Sequence, residues 1–206
     1  MIFSENRYPP RIKCGAGFFG IMHYPRAVCL LALVLVGPAA GQNAAVPEPD
    51  GYRMQDYRAP TPATLKDARV LTTDEAAALW KAGGAAFIDV MPQPPRPNLP
   101  AGTIWRDKPR HDIPGSLWLP DTGYGALAAA TEDYLRNGLA RASGGDRTKL
   151  LVFYCQRDCW MSWNAAKRAL ALGSRNVAWF PDGTDGWQDA DLPLAEAEPM
   201  AGRPVP

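Results

Sequence analysis

The run KLLVFY at 149–154 constrains the fold more than any other stretch of this chain. It is apolar beyond its first residue and too short for a buried helix. An uninterrupted apolar run of this length suits a strand covered on both faces, and such strands belong to parallel sheets flanked by helices. Directly after it comes CQRDCWM, with Cys155 and Cys159, and then a helical pattern, SWNAAKRALALG (162–173), that stops at Gly173.

The same alternation continues along the chain. ARVL (68–71) predicts a short strand, and TTDEAAALWKAGG (72–84) a helix, with Thr72 and Glu75 as a capping box and Gly83–Gly84 as its stop. AAFIDV (85–90) predicts an apolar strand with Asp89 near its end. SLWLP (116–120) is another strand, 126–142 a helix, NVAWF (176–180) a strand, and PDGTDGW (181–187) a turn into a last short helical piece. Strands alternating with helices predict βαβ units, so the expected class is α/β: one domain over 66–195 with a mainly parallel central sheet flanked by helices. Ligands of such sheets bind beyond the carboxyl ends of the strands, which is where Cys155 stands.

Between these elements lies a proline-dense loop, 91–115. A loop of that length inside a compact domain is usually functional. It holds Arg96, Arg106, Lys108 and Arg110, read as a solvated basic surface or as a contact for an anion, and His111, read as a loop hydrogen-bonding residue.

The amino end carries AVCLLALVLVG (27–37), apolar and uncharged, preceded by Arg26 and followed by small residues. That is the pattern of a secretory signal peptide over 1–41, and Met22 would give a compact signal by itself. Removal takes Arg7, Arg11, Lys13, Arg26 and Glu5, so 18 of the 22 basic and 20 of the 21 acidic residues remain. A slightly acidic mature chain has no nucleic-acid footprint. Cys14 and Cys29 leave too, so Cys155 and Cys159 are the mature cysteines, and the expected periplasmic compartment lets disulfides persist. Residues 42–65 read as an extended, proline-rich arm and 196–206 as a loose tail.

What would chemistry want from Cys155? The reactive form of cysteine is the thiolate. A strand-to-helix turn aims backbone N–H groups at one spot, and the helix amino end adds partial positive charge. Arg157 adds a full charge, Asp158 opposes it, and Cys159 supplies a second sulfur able to attack the first. A packed, inert cysteine is the plain alternative. Two thiolates would also suit copper(I), but with His111 as the one mature histidine and no ligand cluster, no metal or other cofactor is called for.

FIDV, HDIPGSLWLP, LLVFYC with its loop and helix, and NVAWFPDGTDGW, in that order, resemble the rhodanese-like (sulfurtransferase) fold over about 85–195. GYRMQDYRAPTPATL, HDIPGSLWLPDTGYGAL and FYCQRDCWMSWNAAKRALALGSRNVAWFPDGTDGW resemble, more narrowly, the PQQ-dependent catabolism-associated CXXCW-motif proteins. The wider resemblance implies that Cys155 forms a persulfide, with Asp89 as the strand-end Asp and Ser162 as the Ser opening the helix. On that reading the amides of 156–161 hold the transferred sulfur, with Gln156, Asp158, Trp160, Met161, Ser162 and Asp89 around the substrate and Arg157 drawing in the donor anion. The narrower resemblance implies export and an association with PQQ-dependent alcohol oxidation and periplasmic c-type cytochromes. The chain departs from the pattern in three ways: three residues separate the cysteines, the loop has no glycine, and Trp160 and Met161 stand where a late arginine is usual.

Three functions follow as expectations. The first is sulfane-sulfur transfer from a small sulfur-containing anion to a thiol acceptor. The second is thiol–disulfide cycling of the Cys155/Cys159 pair. The third is a non-enzymatic accessory module for a quinoprotein dehydrogenase or c-type cytochrome.

Overall fold

The computed structural model describes residues 45–95, 97–106 and 108–204. The expected signal peptide and the first residues of the arm lie outside that range. Five parallel strands form the central sheet in the order β1 (Arg69–Val70), β6 (Val177–Trp179), β5 (Leu151–Tyr154), β2 (Ala86–Asp89) and β4 (Leu117–Trp118). KLLVFY thus supplies the middle strand, as its composition demanded.

Its four strand residues are all buried and divide by parity. Leu151 and Phe153 join one cluster with α2 (Ala129–Ser143) and α3 (Trp160–Ala171), while Val152 and Tyr154 join another with α1 (Thr73–Ala82) and α4 (Gly183–Asp189). Successive side chains on a strand point to opposite faces, so a strand with helices on both sides must be apolar throughout. The ends of α1 follow their sequence signals. Thr72 Oγ1 accepts from Glu75 N while Glu75 accepts from Thr72 N, and Gly83 closes α1 at φ 69°; a cap of this kind contributes about 1 kcal/mol.

Four elements depart from the sequence reading. The proline-dense loop contains a strand, β3 (Arg110–Asp112), which pairs antiparallel with β7 (Ala195–Ala197). The supposed loose tail is therefore fastened: β7 holds its start, Met200 is buried with its N–H on the Trp118 carbonyl, and Arg203 reaches Asp121 at 2.6 Å. Neither three-residue strand has the length or apolar alternation that would reveal it in isolation. Finally, α3 starts at Trp160 and α4 absorbs most of the expected turn.

Candidate functional site

Cys155 follows β5 directly, and Cys159 is the N-cap of α3 without a side-chain capping bond. Their sulfurs are joined, with the Cα atoms 6.5 Å apart, inside the range that native disulfides span. Cys155 is fully buried and Cys159 is 5% exposed. Both pack in the cluster that holds Leu65, Ile88, Trp160 and Trp163.

The carbonyl of Cys155 is held on three sides. Thr184 N and Thr184 Oγ1 each donate to it at 3.1 Å, and Arg110 Nη2 donates at 3.3 Å. Arg110 Nε in turn donates to Asp89 Oδ2 at 2.6 Å, while Met91 N–H donates to Asp89 Oδ1 at 2.8 Å. Asp89 therefore both caps the start of its own loop and clamps an arginine. Burial pushes its pKa up, and the Arg110 charge and the Met91 N–H bond pull back. Arg110 is no solvated loop cation, contrary to the plain sequence reading; its side chain is 15% exposed and paired.

Two residues after Arg110 in β3, Asp112 is buried beside this pair, and its Oδ2 has no hydrogen-bond partner among the described residues. Burial, followed by the nearby Asp89 charge, raises its pKa to about 7 against the pull of Arg110. The Tyr154 hydroxyl donates to Ser116 Oγ at 2.6 Å and accepts from Ile113 N–H at 3.1 Å. Burial holds that phenol well above its ordinary range, with Asp89 and Asp112 adding to the effect.

A cavity of about 420 Å³ opens at the carboxyl ends of these strands, lined among others by Met91, Lys108, Arg110, Trp118, Gln156 and Thr184. Neither cysteine lines it. Gln156 also makes an isolated antiparallel bridge with Gly183. Gly183 has φ 50°, and a Cβ there would stand 2.7 Å from the Cys155 carbonyl, so this close approach requires glycine.

The other loop residues are placed as follows. Arg157 turns to α4: its guanidinium bonds Asp189 at 2.7 Å and Asp182 at 3.3 Å, and its N–H donates to Asp185 at 3.2 Å. Asp158 takes a left-handed φ of 55°. Trp160 and Met161 are buried in the first turn of α3. Ser162 Oγ donates to the Cys159 carbonyl at 3.1 Å and accepts from Trp179 Nε1 at 3.0 Å. In this disulfide-bonded state no backbone N–H among the described residues donates to either sulfur; the contacts of Cys155 Sγ at 3.7 Å are with the carbonyls of Gln156 and Cys159.

The arm lies directly over the cysteine loop. Trp160 N–H donates to the Tyr57 carbonyl at 2.9 Å, and Ala59 N–H donates to the Asp158 carbonyl at 3.0 Å, which sets Arg58 opposite Cys159 as an antiparallel pair. Asn164, fully buried in α3, accepts from Arg53 N–H and donates to the Arg53 carbonyl, each at 2.9 Å. Trp160 Nε1 and Trp163 Nε1 donate to the carbonyls of Pro60 and Thr64. Sequence reasoning missed Asn164, Thr184 and the role of Arg110. For Asn164 the only signal was a polar residue in a helix otherwise rich in apolar positions.

The rhodanese-like domain family matches residues 72–190 of this chain. Among solved structures, the chain is similar to a thiosulfate sulfurtransferase from Pseudomonas aeruginosa at 19% identity and TM-score 0.44, over 64% of this chain and 21% of that one. It is also similar to the polysulfide-sulfur transferase homodimer from Wolinella succinogenes at 18% identity and TM-score 0.41, over 66% of this chain and 83% of that one. This chain thus spans about a fifth of the former. No curated protein matches it.

Proposed function

Since the chain belongs to the rhodanese-like domain family, we propose that it handles sulfane sulfur through Cys155, with Cys159 as the resolving thiol. The observation that carries this reading is the bond between the two sulfurs where β5 gives way to α3. Once the bond is reduced, Cys155 is a free cysteine between the end of β5 and the start of α3, and its thiolate is the form that attacks sulfane sulfur.

The chemistry then balances in two steps. The Cys155 thiolate attacks the sulfane sulfur of a donor such as thiosulfate. The sulfur–sulfur bond of the donor breaks, sulfite leaves with the electron pair, and Cys155 carries a persulfide. An external thiolate then attacks the outer sulfur, and Cys155 leaves as thiolate. Without an acceptor, the Cys159 thiolate attacks Cys155 Sγ and expels the outer sulfur as hydrosulfide. That sulfur is reduced, Cys159 is oxidised to the level Cys155 already held in the persulfide, and the product is the disulfide seen here. A dithiol reductant restores the pair by two exchange steps.

The setting we propose is the periplasm, reached through the leader-like segment 1–41, in association with PQQ-dependent alcohol oxidation and with a quinoprotein dehydrogenase or c-type cytochrome as a partner. The CXXCW-motif resemblance supports it. The presence of the disulfide also favours a second reading, in which Cys155 and Cys159 act solely as a redox pair.

One experiment separates the two. Reduced protein is incubated with thiosulfate or polysulfide and its intact mass is measured. Sulfur handling predicts about +32 Da on Cys155 in the Cys159→Ser variant, and hydrosulfide release with a return to the disulfide in wild type. A mass unchanged in Cys159→Ser defeats the sulfur reading and leaves the redox pair.

A further inference from the structure

The arm holds the cysteine loop by backbone recognition. Five main-chain carbonyls or N–H groups between Arg53 and Pro60 are engaged: Arg53 N and O by Asn164, Tyr57 O by Trp160 N, Ala59 N by the Asp158 carbonyl, and Pro60 O by Trp160 Nε1. The Asn164 amide meets Arg53 as one peptide group meets another in a sheet. A groove that reads main chain in this way accepts an extended segment whatever most of its side chains are.

The register is specific at one position. The bonds from Trp160 N to Tyr57 O and from Ala59 N to Asp158 O flank Arg58 and Cys159, making them the non-hydrogen-bonded kind of antiparallel pair. Such pairs bring Cα atoms to about 4.5 Å, with side chains on one face. That separation lies in the range disulfides bridge. Cys159 is also the more exposed of the two cysteines, at 5% against 0%.

We propose that the arm is an intramolecular stand-in for an extended, cysteine-bearing segment of a protein dithiol, which displaces the arm, sets its cysteine in the place of Arg58, and reduces the Cys155–Cys159 bond. This rests on the proposed function, whose resolved form needs a two-thiol reductant. The partner thiol loses its proton to solvent and its thiolate attacks Cys159 Sγ. The Cys155–Cys159 bond breaks, Cys155 leaves as a thiolate and takes a proton from solvent, and a mixed disulfide joins Cys159 to the partner. The partner's second thiolate attacks its own first sulfur and expels the Cys159 thiolate. The partner ends oxidised and this chain reduced.

The test uses the full chain and a defined probe. In the oxidised Arg58→Cys protein, peptide mapping is expected to find the introduced thiol linked to Cys159 with Cys155 free, in a population within about tenfold of the original bond. In a second arm, oxidised wild type is mixed with a reduced peptide of residues 51–65 carrying cysteine in place of Arg58. Mixed disulfide at Cys159 is expected to form about tenfold faster than with the same peptide carrying proline in place of Ala59, which keeps the thiol but cannot donate to the Asp158 carbonyl. Tyr57→Ala, which removes the hydroxyl bonds to Met54 O and from Gly125 N and the edge contact with Tyr124, loosens the resident arm and is expected to widen that ratio. Equal rates for the two peptides, or capture at Cys155 instead, overturn the proposal. Neither arm involves sulfane sulfur. Capture at Cys159 without persulfide formation would therefore sink the sulfur reading alone, and persulfide formation without capture would sink the docking alone.

Discussion

Arg110 bridges Asp89 and the reactive turn: Nε meets Asp89 Oδ2 at 2.6 Å and Nη2 meets the Cys155 carbonyl at 3.3 Å. A fully buried carboxylate thus reaches the cysteine loop through one guanidinium. Removing one member of a buried pair leaves an uncompensated charge. Arg110→Met is expected to cost about 3–5 kcal/mol at pH 8, read as a lower urea midpoint. The loss should shrink at pH 5, where Asp89, already raised by burial, can stay in place as the neutral acid. Asp89→Asn/Arg110→Met should recover part of the stability; a double variant as weak as the single one would contradict this account.

Asp112 gives the pH dependence a definite sign. Its pKa is about 7 in the folded chain, against about 3.9 in an unfolded one. Between these values the folded state binds the extra proton, so stability falls as pH rises from about 4 to about 7 and stays lowered above that. Asp112→Asn should remove this slope and stabilise the protein at pH 8 by about 2 kcal/mol, after allowance for solvent screening. Urea midpoints of both proteins at pH 5 and pH 8 check it, the variant's gain being the larger at pH 8.

The elements that announced themselves were those whose side-chain pattern follows from their surroundings. Residues 151–154 are apolar because both faces of β5 are covered, and Thr72 with Glu75 marks a helix start by local bonding alone. The α/β class and the position of Cys155 at a strand end were therefore legible. β3 and β7 were not, because Arg110, His111 and Asp112 make a strand only by pairing with residues far along the chain, Ala195 to Ala197. The orientation of the loop was hidden for the same reason. Arg157 answers to Asp182 and Asp189, which the chain brings up only with α4.

Gly183 tests how closely α4 must approach the cysteine turn. Its φ of 50° and the 2.7 Å that would separate an alanine Cβ from the Cys155 carbonyl both penalise any larger residue. Gly183→Ala is expected to destabilise by about 2–3 kcal/mol, through backbone strain and displacement of the Thr184 bonds to Cys155. Gly144→Ala is the control: it has a similar φ of 63°, but open space around it, so it should lose only the conformational part, about 1 kcal/mol. Equal losses would mean that the contact with Cys155 is not what fixes the residue.

The Cys155–Cys159 bond joins residues only 4 positions apart, so the chain-entropy gain is small, about 2 kcal/mol. Reduction should therefore lower the urea midpoint modestly and leave the sheet intact, since β5 and α3 are packed by Phe153, Trp163 and their neighbours and not by the sulfurs alone. Its larger effect should be local. The pairing of Arg58 with Cys159 and the left-handed Asp158 belong to the loop that the bond closes. Amide exchange at Ala59 and Trp160, whose N–H groups join arm to loop, should accelerate on reduction by at least about tenfold, well beyond that of β5 amides such as Phe153, which report on global opening. Uniform acceleration across arm and sheet would mean that the bond stabilises the domain as a whole and does not govern the arm.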